Sequence, residues 1–224
     1  MSKHLERDLE LLKKELLAMS GMVEVATDRA IAAVVDRRRD LAAEVVAGDD
    51  AIDQKELEVE DDCLKMLALH QPVAGDLRFI ITALKVNNDL ERMGDLAKNI
   101  AERALALVSE APIAGAETFQ RMAERVRTMV HGCIDALVQR DVDLAKRVCL
   151  QDQEVDAENR RHFDELQEVM RRDPAAVERA VHLLSVSRHL ERIADHATNV
   201  AEEVVFLVDG EVIRHLRLAR ARAL

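Results

Sequence analysis

The sequence lacks tryptophan and tyrosine entirely, and its 224 residues include only four phenylalanines, seven glycines and three prolines. Aromatic residues favour strands, and Gly and Pro interrupt helices, so their scarcity favours a helical chain. Ala, Leu, Val, Glu and Arg dominate instead, and 49% of the residues are apolar, which is enough to form a core. These features predict an all-α globular protein.

Positive charge is also in short supply, because the chain carries a formal net charge of −11 at pH 7. Nucleic-acid binding requires Lys and Arg to neutralise phosphates, and usually aromatic rings on which exposed bases stack. A general nucleic-acid-binding function is therefore not expected.

The three cysteines, Cys63, Cys133 and Cys149, are odd in number and widely spaced. This spacing matches neither a disulfide framework nor a zinc ribbon. We therefore expect buried thiols in a reducing compartment.

Long apolar runs are missing as well. No stretch approaches the roughly 20 uncharged apolar residues that a membrane-spanning helix needs, and the residues after Met1 are charged. We expect a soluble cytoplasmic protein that is not exported, while a peripheral role at a membrane stays open.

Glycines, prolines and polar clusters divide the chain into six long segments. Apolar residues recur every three or four positions within them, as at Leu5, Leu9 and Leu12. The pattern predicts helices at residues 4–47, 50–69, 76–109, 115–139, 142–171 and 175–208, with the first break at Gly48. Because the longest would have about 40 residues, or roughly 60 Å, we expect an elongated molecule.

The third and sixth segments contain an internal repeat at an offset of 100 residues. Residues 88–102 and 188–202 are identical at eight of fifteen positions, including charged residues that helical amphipathicity does not require. The preceding segments repeat more loosely. We predict two tandem three-helix bundles, residues 1–112 and 113–210, followed by a basic tail at residues 211–224.

Each copy of the repeat contains a Glu-x-x-x-Asp pair, Glu91 with Asp95 and Glu191 with Asp195. At 100° per residue the two acids of a pair lie on one narrow stripe of the helix. The same stripes contain four more polar residues, Asn99, Glu102, Asn199 and Glu202. Like charges at i and i+4 destabilise a helix, so helix stability does not account for the pairs. A bound cation would turn this repulsion into coordination.

The second predicted helix adds acids to the first bundle. Asp49, Asp53, Glu56 and Glu60 fall within about 60° of one another, inside the arc of its apolar core positions. Carboxylate oxygens that converge from two helices suit Mg²⁺, Mn²⁺ or iron. We predict a metal site between the second and third helices, with Asp53, Glu56 and Glu60 as ligands beside the first pair and Asp49 as an additional candidate.

The second bundle has fewer acids at these places. The corresponding residues of the fifth helix are Asp152, Asp156, Asn159 and Phe163. We therefore expect a weaker second site, with Asp156 as a ligand beside the second pair and Asp152 as an additional candidate. The polar residues further along both stripes would support the ligands or, for the asparagines, form interhelical hydrogen bonds.

A simpler interpretation treats both stripes as solvated faces, with Arg92 and Arg192 as intrahelical partners of the acids. His189 and His196 point away from the stripes and are interpreted as surface histidines. Arg37 and its neighbouring arginines, and the cations of the tail, are interpreted as solvated charges.

Three motifs link the chain to a known family. Residues 69–78 read Leu-His-Gln-Pro-Val-Ala-Gly-Asp-Leu-Arg, residues 90–95 read Leu-Glu-Arg-Met-Gly-Asp, and residues 190–195 read Leu-Glu-Arg-Ile-Ala-Asp. In this order and spacing they resemble the PhoU family of phosphate-signalling regulators, over nearly the whole chain. Ala194 stands where the family frequently has glycine.

The resemblance implies a cytoplasmic protein that restrains the high-affinity phosphate ABC transporter, through its nucleotide-binding subunit, and signals phosphate sufficiency to a sensor histidine kinase. It also implies multinuclear metal clusters, of iron or zinc, at the motifs Glu91/Asp95 and Glu191/Asp195. We expect a homodimer that meets the membrane only through these partners.

Enzymatic alternatives find little support. The sequence shows no nucleophile with a base, no Gly-rich phosphate loop and no Ser-His-Asp order, so we expect a binding protein. A ferritin-like di-iron oxidase needs Glu-x-x-His on two helices, and none of the eight histidines has Glu three residues before it. A structural helical adaptor without metal stays the other alternative.

Overall fold

The computed structural model describes residues 3–113 and 116–210. They form six α-helices, α1 (Lys3–Val35), α2 (Arg39–His70), α3 (Ala74–Leu107), α4 (Ala116–Gln139), α5 (Val142–Arg172) and α6 (Val177–Asp209), with a short 3₁₀ helix at Pro174–Ala176. No strand occurs in these residues, and the predicted all-α class is confirmed. The prediction of a basic tail at residues 211–224 lies outside the described residues.

The turn between α1 and α2 corrects the sequence-based prediction. The pattern places the break at Gly48, and this is wrong, because the turn lies at residues 36–38 and α2 runs through Gly48. Arg37 makes the turn with a left-handed backbone (φ 55°), and its guanidinium donates to the Leu107 carbonyl at the end of α3 (2.8 Å). Arg37 is therefore not a solvated charge. A glycine inside a long helix costs only about 1 kcal/mol, which tertiary contacts offset.

The other helix ends follow the predicted breaks. Helix α2 closes at Gln71, in a left-handed conformation, just before Pro72. The Asp141 carboxylate begins α5 by accepting a hydrogen bond from the Leu144 amide at 2.9 Å. Helix α6 ends at Gly210, whose φ of 75° is a conformation that glycine adopts without strain.

Four helices lie side by side in the order α2, α3, α6, α5, and the other two cover one side of this layer. Helix α1 packs on α2 and α3, α4 packs on α5 and α6, and α1 touches α4. Each half is thus a three-helix bundle. We call the uncovered side the open face; it exposes Leu77, Ile81, Asn88 and Arg92 on α3, and Val177, Val181, Arg188 and Arg192 on α6.

Helices α3 and α6 run antiparallel between the two bundles. As the residue number increases along α3, the number of the contacting residue on α6 decreases: Arg78 contacts the Leu207 carbonyl, Lys85 contacts Glu203, and Asp89 contacts His196. Both helices also carry the Glu-x-x-x-Asp motif near their middle. The two motifs therefore lie close to the place where the bundles meet.

Buried apolar side chains of all six helices form one core that is continuous across both bundles. Met19, Leu90, Phe119 and Ile193 are among its largest fully buried members. Burying a side chain of this size stabilises the fold by about 1.5–3 kcal/mol. None of the described helices has a stretch that is long and apolar enough to cross a membrane.

Burial divides the cysteines. Cys63 and Cys133 are buried as predicted, but Cys149 is only half-buried, so the prediction is wrong for it. Burial raises the pKa of the Cys63 thiol to about 12, which keeps it protonated and unreactive. We expect Ellman's reagent to label Cys149 first in the native protein, and the other two thiols only after unfolding. Cys149→Ser should abolish the fast phase, and fast labelling of all three thiols would contradict this assignment.

Candidate metal centre

Two contacts set the register of α2 against α3. A Cβ atom on Gly94 would stand 3.1 Å from the Ile52 side chain, so the two helices approach closely there. Asn87 Nδ2 donates to the Glu56 carbonyl oxygen at 2.8 Å. The helices are therefore antiparallel, and the register puts Asp53 and Glu56 opposite the first Glu-x-x-x-Asp pair.

The acids of α2 and α3 are close enough to oppose one another's ionisation. Burial raises the pKa of Glu91, and the charge of Asp95 raises it further; Arg92 lowers it, and Asp53 and Glu56 add to the increase. Burial followed by neighbouring carboxylates also raises the pKa of Asp53 and of Glu56. The structure thus gathers four of the predicted ligands.

The donor chemistry of this cluster fits a hard cation. Glu91 Oε2 is buried and accepts no hydrogen bond from the described residues, and Arg92 Nε lies 3.4 Å from it. A cation would satisfy this oxygen and remove the repulsion. However, no three His, Cys, Asp or Glu side chains within residues 3–113 and 116–210 converge in a way that could hold a metal ion. Binding would require side-chain rotation, and the site stays a prediction.

The acids of α2 differ in burial. Asp49 is 2% exposed and pairs with Lys98 Nζ at 2.5 Å, so a lysine already neutralises it. Asp53 and Glu60 are exposed, and the expectation that they lie among core positions of α2 is wrong. Among the described helices, only α1 and α3 pack on α2, which leaves a narrower buried arc than the sequence pattern indicates.

The second bundle gathers fewer acids. Glu191 is buried, and burial followed by the charge of Asp195 raises its pKa. Burial and then the charge of Asp156 raise the pKa of Asp195. Arg188 donates to Glu191 Oε1, and Glu191 Oε2 has no hydrogen-bond partner in the part of the chain that the structure describes. Three predicted ligands are therefore together here, and the weaker second site stays a prediction.

Two other α5 positions of the predicted second site hold a buried acid and an amide, and a role for the acid stays a prediction. Asp152 is fully buried. Asn159, at the place of Glu56, accepts a hydrogen bond from Ser187 Oγ at 2.9 Å. At this position α5 therefore has a hydrogen bond to α6 and no carboxylate.

A network between the bundles corrects the interpretation of His196. Its side chain is 18% exposed, and Nδ1 lies 2.8 Å from Asp89 Oδ1, which also accepts from Asn199 Nδ2 at 3.3 Å. His196 is therefore no surface histidine, and Asn199 forms the interhelical bond that the sequence left open. His189 is half-buried as well, and burial lowers its pKa.

Sequence reasoning missed the histidine and the aspartate of this network because they lie at positions where the two repeats differ. His196 stands opposite Leu96 in the alignment of repeats, and Asp89 opposite His189. Glu102 pairs with Arg103 at 3.4 Å, whereas Asn99 and Glu202 are half-buried. A supporting role for these three residues stays a prediction.

The raised pKa of Glu91 gives a test in metal-free protein. The folded state keeps this proton to higher pH than the unfolded chain, so stability falls as pH rises from the ordinary carboxyl pKa through the raised one. With EDTA at about pH 7, Glu91→Gln should raise the free energy of unfolding by at least a few tenths of a kcal/mol, the cost of like charges at i and i+4. Urea titration followed by far-UV circular dichroism measures this change.

Glu10→Gln is the matched control, because a hydrogen bond from Lys13 lowers the pKa of Glu10. Removing the charge of Glu10 should slightly reduce the free energy of unfolding, whereas Glu91→Gln should raise it. A loss of stability in metal-free Glu91→Gln would contradict the repulsion between Glu91 and Asp95.

The sequence of this chain is similar to those of proteins from one known family. A PhoU domain model matches residues 16–104 and again residues 119–204. The phosphate-specific transport system accessory protein PhoU homolog of Aquifex aeolicus is 43% identical over 93% of this chain and 95% of its own length. The homolog of Pseudomonas aeruginosa is 39% identical over 99% of this chain and 92% of its length.

Solved structures agree with these matches. The crystal structure of PhoU from Pseudomonas aeruginosa superposes with a TM-score of 0.89 at 39% identity, covering 92% of this chain and 99% of that one. The phosphate transport system regulatory protein PhoU from Streptococcus pneumoniae gives a TM-score of 0.88 at 27% identity, covering 93% and 98%. With both bundles matched by one domain model, the chain belongs to the PhoU family.

Proposed function

We propose that this protein regulates phosphate homeostasis from the cytoplasm, by binding and without catalysis. It restrains high-affinity phosphate uptake and phosphate-starvation signalling. Its partners are the nucleotide-binding subunit of the phosphate ABC transporter and the sensor histidine kinase, through which it meets the membrane. The proposal is supported by its relatives, which are named as accessory or regulatory proteins of phosphate transport.

The surface supports a function in binding. Leu69 and Val73, on either side of the turn between α2 and α3, are 77% and 74% exposed. Neighbouring exposed apolar side chains of this kind fit a docking surface. We also propose a homodimer, which sedimentation equilibrium would measure directly.

The metal-binding part of the proposal rests on one observation: four carboxyl groups of α2 and α3 lie close together on facing sides of the two helices. Glu91, Asp95, Asp53 and Glu56 would hold iron or zinc in a multinuclear cluster, or Mg²⁺ or Mn²⁺, with Glu60 at the edge. The ion would supply positive charge that neutralises the acids and fixes α2 against α3.

In the second bundle, Glu191, Asp195 and Asp156 would form the weaker site. Here Arg188 already supplies part of the positive charge, because it donates to Glu191. Elemental analysis of variants in each half would compare the two sites.

The second candidate is a helical adaptor that binds the same partners without metal. Two observations favour it: Arg92 lies within 3.4 Å of Glu91 and 3.6 Å of Asp95, and the described side chains form no ready metal site. In that case the arginine alone stabilises the acids.

Replacing Glu91 and Asp95 together with alanine tests the proposal. We expect the metal content of the purified protein to fall by at least half and phosphate-dependent repression of uptake to be lost. Glu6→Ala with Glu10→Ala is the matched control, since these exposed acids of α1 have the same spacing, and it should leave both unchanged. Unchanged metal content and repression in the Glu91/Asp95 variant would refute the proposal; repression without metal in the parent would favour the adaptor.

A further inference from the structure

An open groove of about 660 Å³ lies between α5 and α6, beside the second Glu-x-x-x-Asp pair. Its apolar lining comes from Phe163, Val181 and Leu184, and Arg160 and Arg188 stand at its border. Phe163 and Val181 are 51% and 49% exposed. An apolar patch with a polar border is typical of a binding surface.

The equivalent place in the first bundle has a different charge. The repeat aligns Phe163 with Glu60 and Arg160 with Leu57, and Arg188 with Asn88. Leu57 and Ile81 keep exposed apolar side chains there, but the two arginines have no cationic counterpart at the aligned positions, and Glu60 adds a negative charge. This difference in charge between the aligned residues fits a distinct ligand for the groove between α5 and α6.

Buried hydrogen bonds fix the wall of the groove. Asn159, which lines it, accepts from Ser187 Oγ at 2.9 Å, and Ser187 Oγ lies 3.0 Å from His162 Nδ1. The His162 ring stacks on Phe119 with centroids 4.4 Å apart. The groove is thus preformed, and binding would lose little free energy to reorganisation.

The charge of the groove selects its ligand. Arg160 is exposed and forms no ion pair with the part of the chain that the structure describes, while Arg188 pairs with Glu191. Asp164 is the acid among the lining residues. Nearby carboxylates, Asp195 among them, would repel a uniformly anionic membrane, whereas a helix can place acids against the arginines alone.

We propose that this groove binds an acidic amphipathic helix of a partner protein. Leucine-like side chains of that helix insert between Phe163 and Val181, and its carboxylates pair with Arg160 and Arg188, in the helix-in-groove mode. This inference goes beyond the proposed function, and its test is made without metal because Arg188 also pairs with the predicted metal ligand Glu191.

The test uses the full chain and a fluorescein-labelled helical peptide of about 20 residues, with Leu along one stripe and Glu along its flanks. The same peptide with Lys for Glu is the control. Fluorescence anisotropy at low salt, with EDTA present, should show binding of the Glu peptide at least about tenfold tighter than that of the Lys peptide, and rising salt should weaken it.

Two variants locate the binding site. Phe163→Ser should weaken binding about tenfold, and Arg160→Glu about fivefold with a smaller salt dependence. The matched controls, Leu150→Ser and Arg161→Glu, change exposed residues of α5 that do not line the groove, and binding should stay within about twofold. Circular dichroism confirms that each variant is folded.

Other occupants give other results. Equal binding of both peptides, or unchanged binding by Phe163→Ser and Arg160→Glu, overturns the proposal. If the parent instead binds phosphatidylglycerol vesicles through Phe163, the groove is a lipid site. If Phe163→Ser splits a dimer and no peptide binds, a second copy of the chain occupies the groove, and the proposal is likewise overturned. If metal-site variants lose phosphate regulation but still bind the peptide, the groove proposal holds independently of the metal proposal.

Discussion

Gly94→Leu is expected to lower the free energy of unfolding by about 3 kcal/mol, at the upper end of the usual cost of overpacking. A Cβ atom alone would stand 3.1 Å from both Ile52 Cδ1 and Ile52 Cγ2, so a leucine must push α2 away from α3. Far-UV circular dichroism in urea measures the change, because the chain has no Trp or Tyr to report by fluorescence.

The same substitution at Gly48 is the matched control. Gly48 also lies inside a helix, but a Cβ atom there would meet nothing within 4 Å. Gly48→Leu should therefore stabilise the protein, by up to about 0.8 kcal/mol, through helix propensity alone. Equal effects at the two glycines would contradict the close approach of α2 and α3. If metal binds, Gly94→Leu should also reduce it, because the acids of α2 move away from Glu91.

Lys98→Met is expected to destabilise the protein by about 3 kcal/mol. Asp49 is 2% exposed, and its carboxylate pairs with Lys98 at 2.5 Å. Removing the lysine leaves a buried charge without its partner, which typically costs about 3–5 kcal/mol. The lower end applies because the lysine side chain is about a third exposed and water can partly replace it.

A double substitution separates the pair from the packing around it. Asp49→Asn with Lys98→Met should recover most of the loss, since no unpaired charge stays buried. Lys65→Met is the control: Lys65 pairs with Asp61 on the exposed side of α2, and its loss should cost less than about 0.5 kcal/mol. A similar loss for Lys65→Met and Lys98→Met would contradict the assigned role of burial.

The helices and the carboxylate pairs could be predicted because they depend on local periodicity. Spacings of three and four residues define all six helices, and the 100-residue offset exposes the duplicated motif. The same periodicity places Asp53 and Glu56 on one stripe of the second helix, but which residues of α3 that stripe faces depends on the register between the two helices.

The turn between α1 and α2 could not be predicted, because the signal that makes it is not local. Gly48 is the stronger breaker by propensity, yet the chain turns at Arg37, whose guanidinium reaches the end of α3, 70 residues away in the sequence. Tertiary hydrogen bonds offset the left-handed backbone of Arg37 and the glycine inside α2.

The contacts between the bundles were hidden for the same reason. His196 bonds Asp89, and Lys85 bonds Glu203, across an interface that joins different repeats. Amphipathicity indicates which face of a helix is buried but not which helix covers it.

The sequence by itself determined an all-α chain of two duplicated bundles with acids at repeated positions, because helix periodicity and duplication depend only on the order of the residues. Only the tertiary structure decided which of those acids are charged neighbours, which one a lysine neutralises, and that Phe163 and Arg160 line a groove between α5 and α6. These properties depend on the register between helices, and that register is set by close contacts such as Gly94 against Ile52.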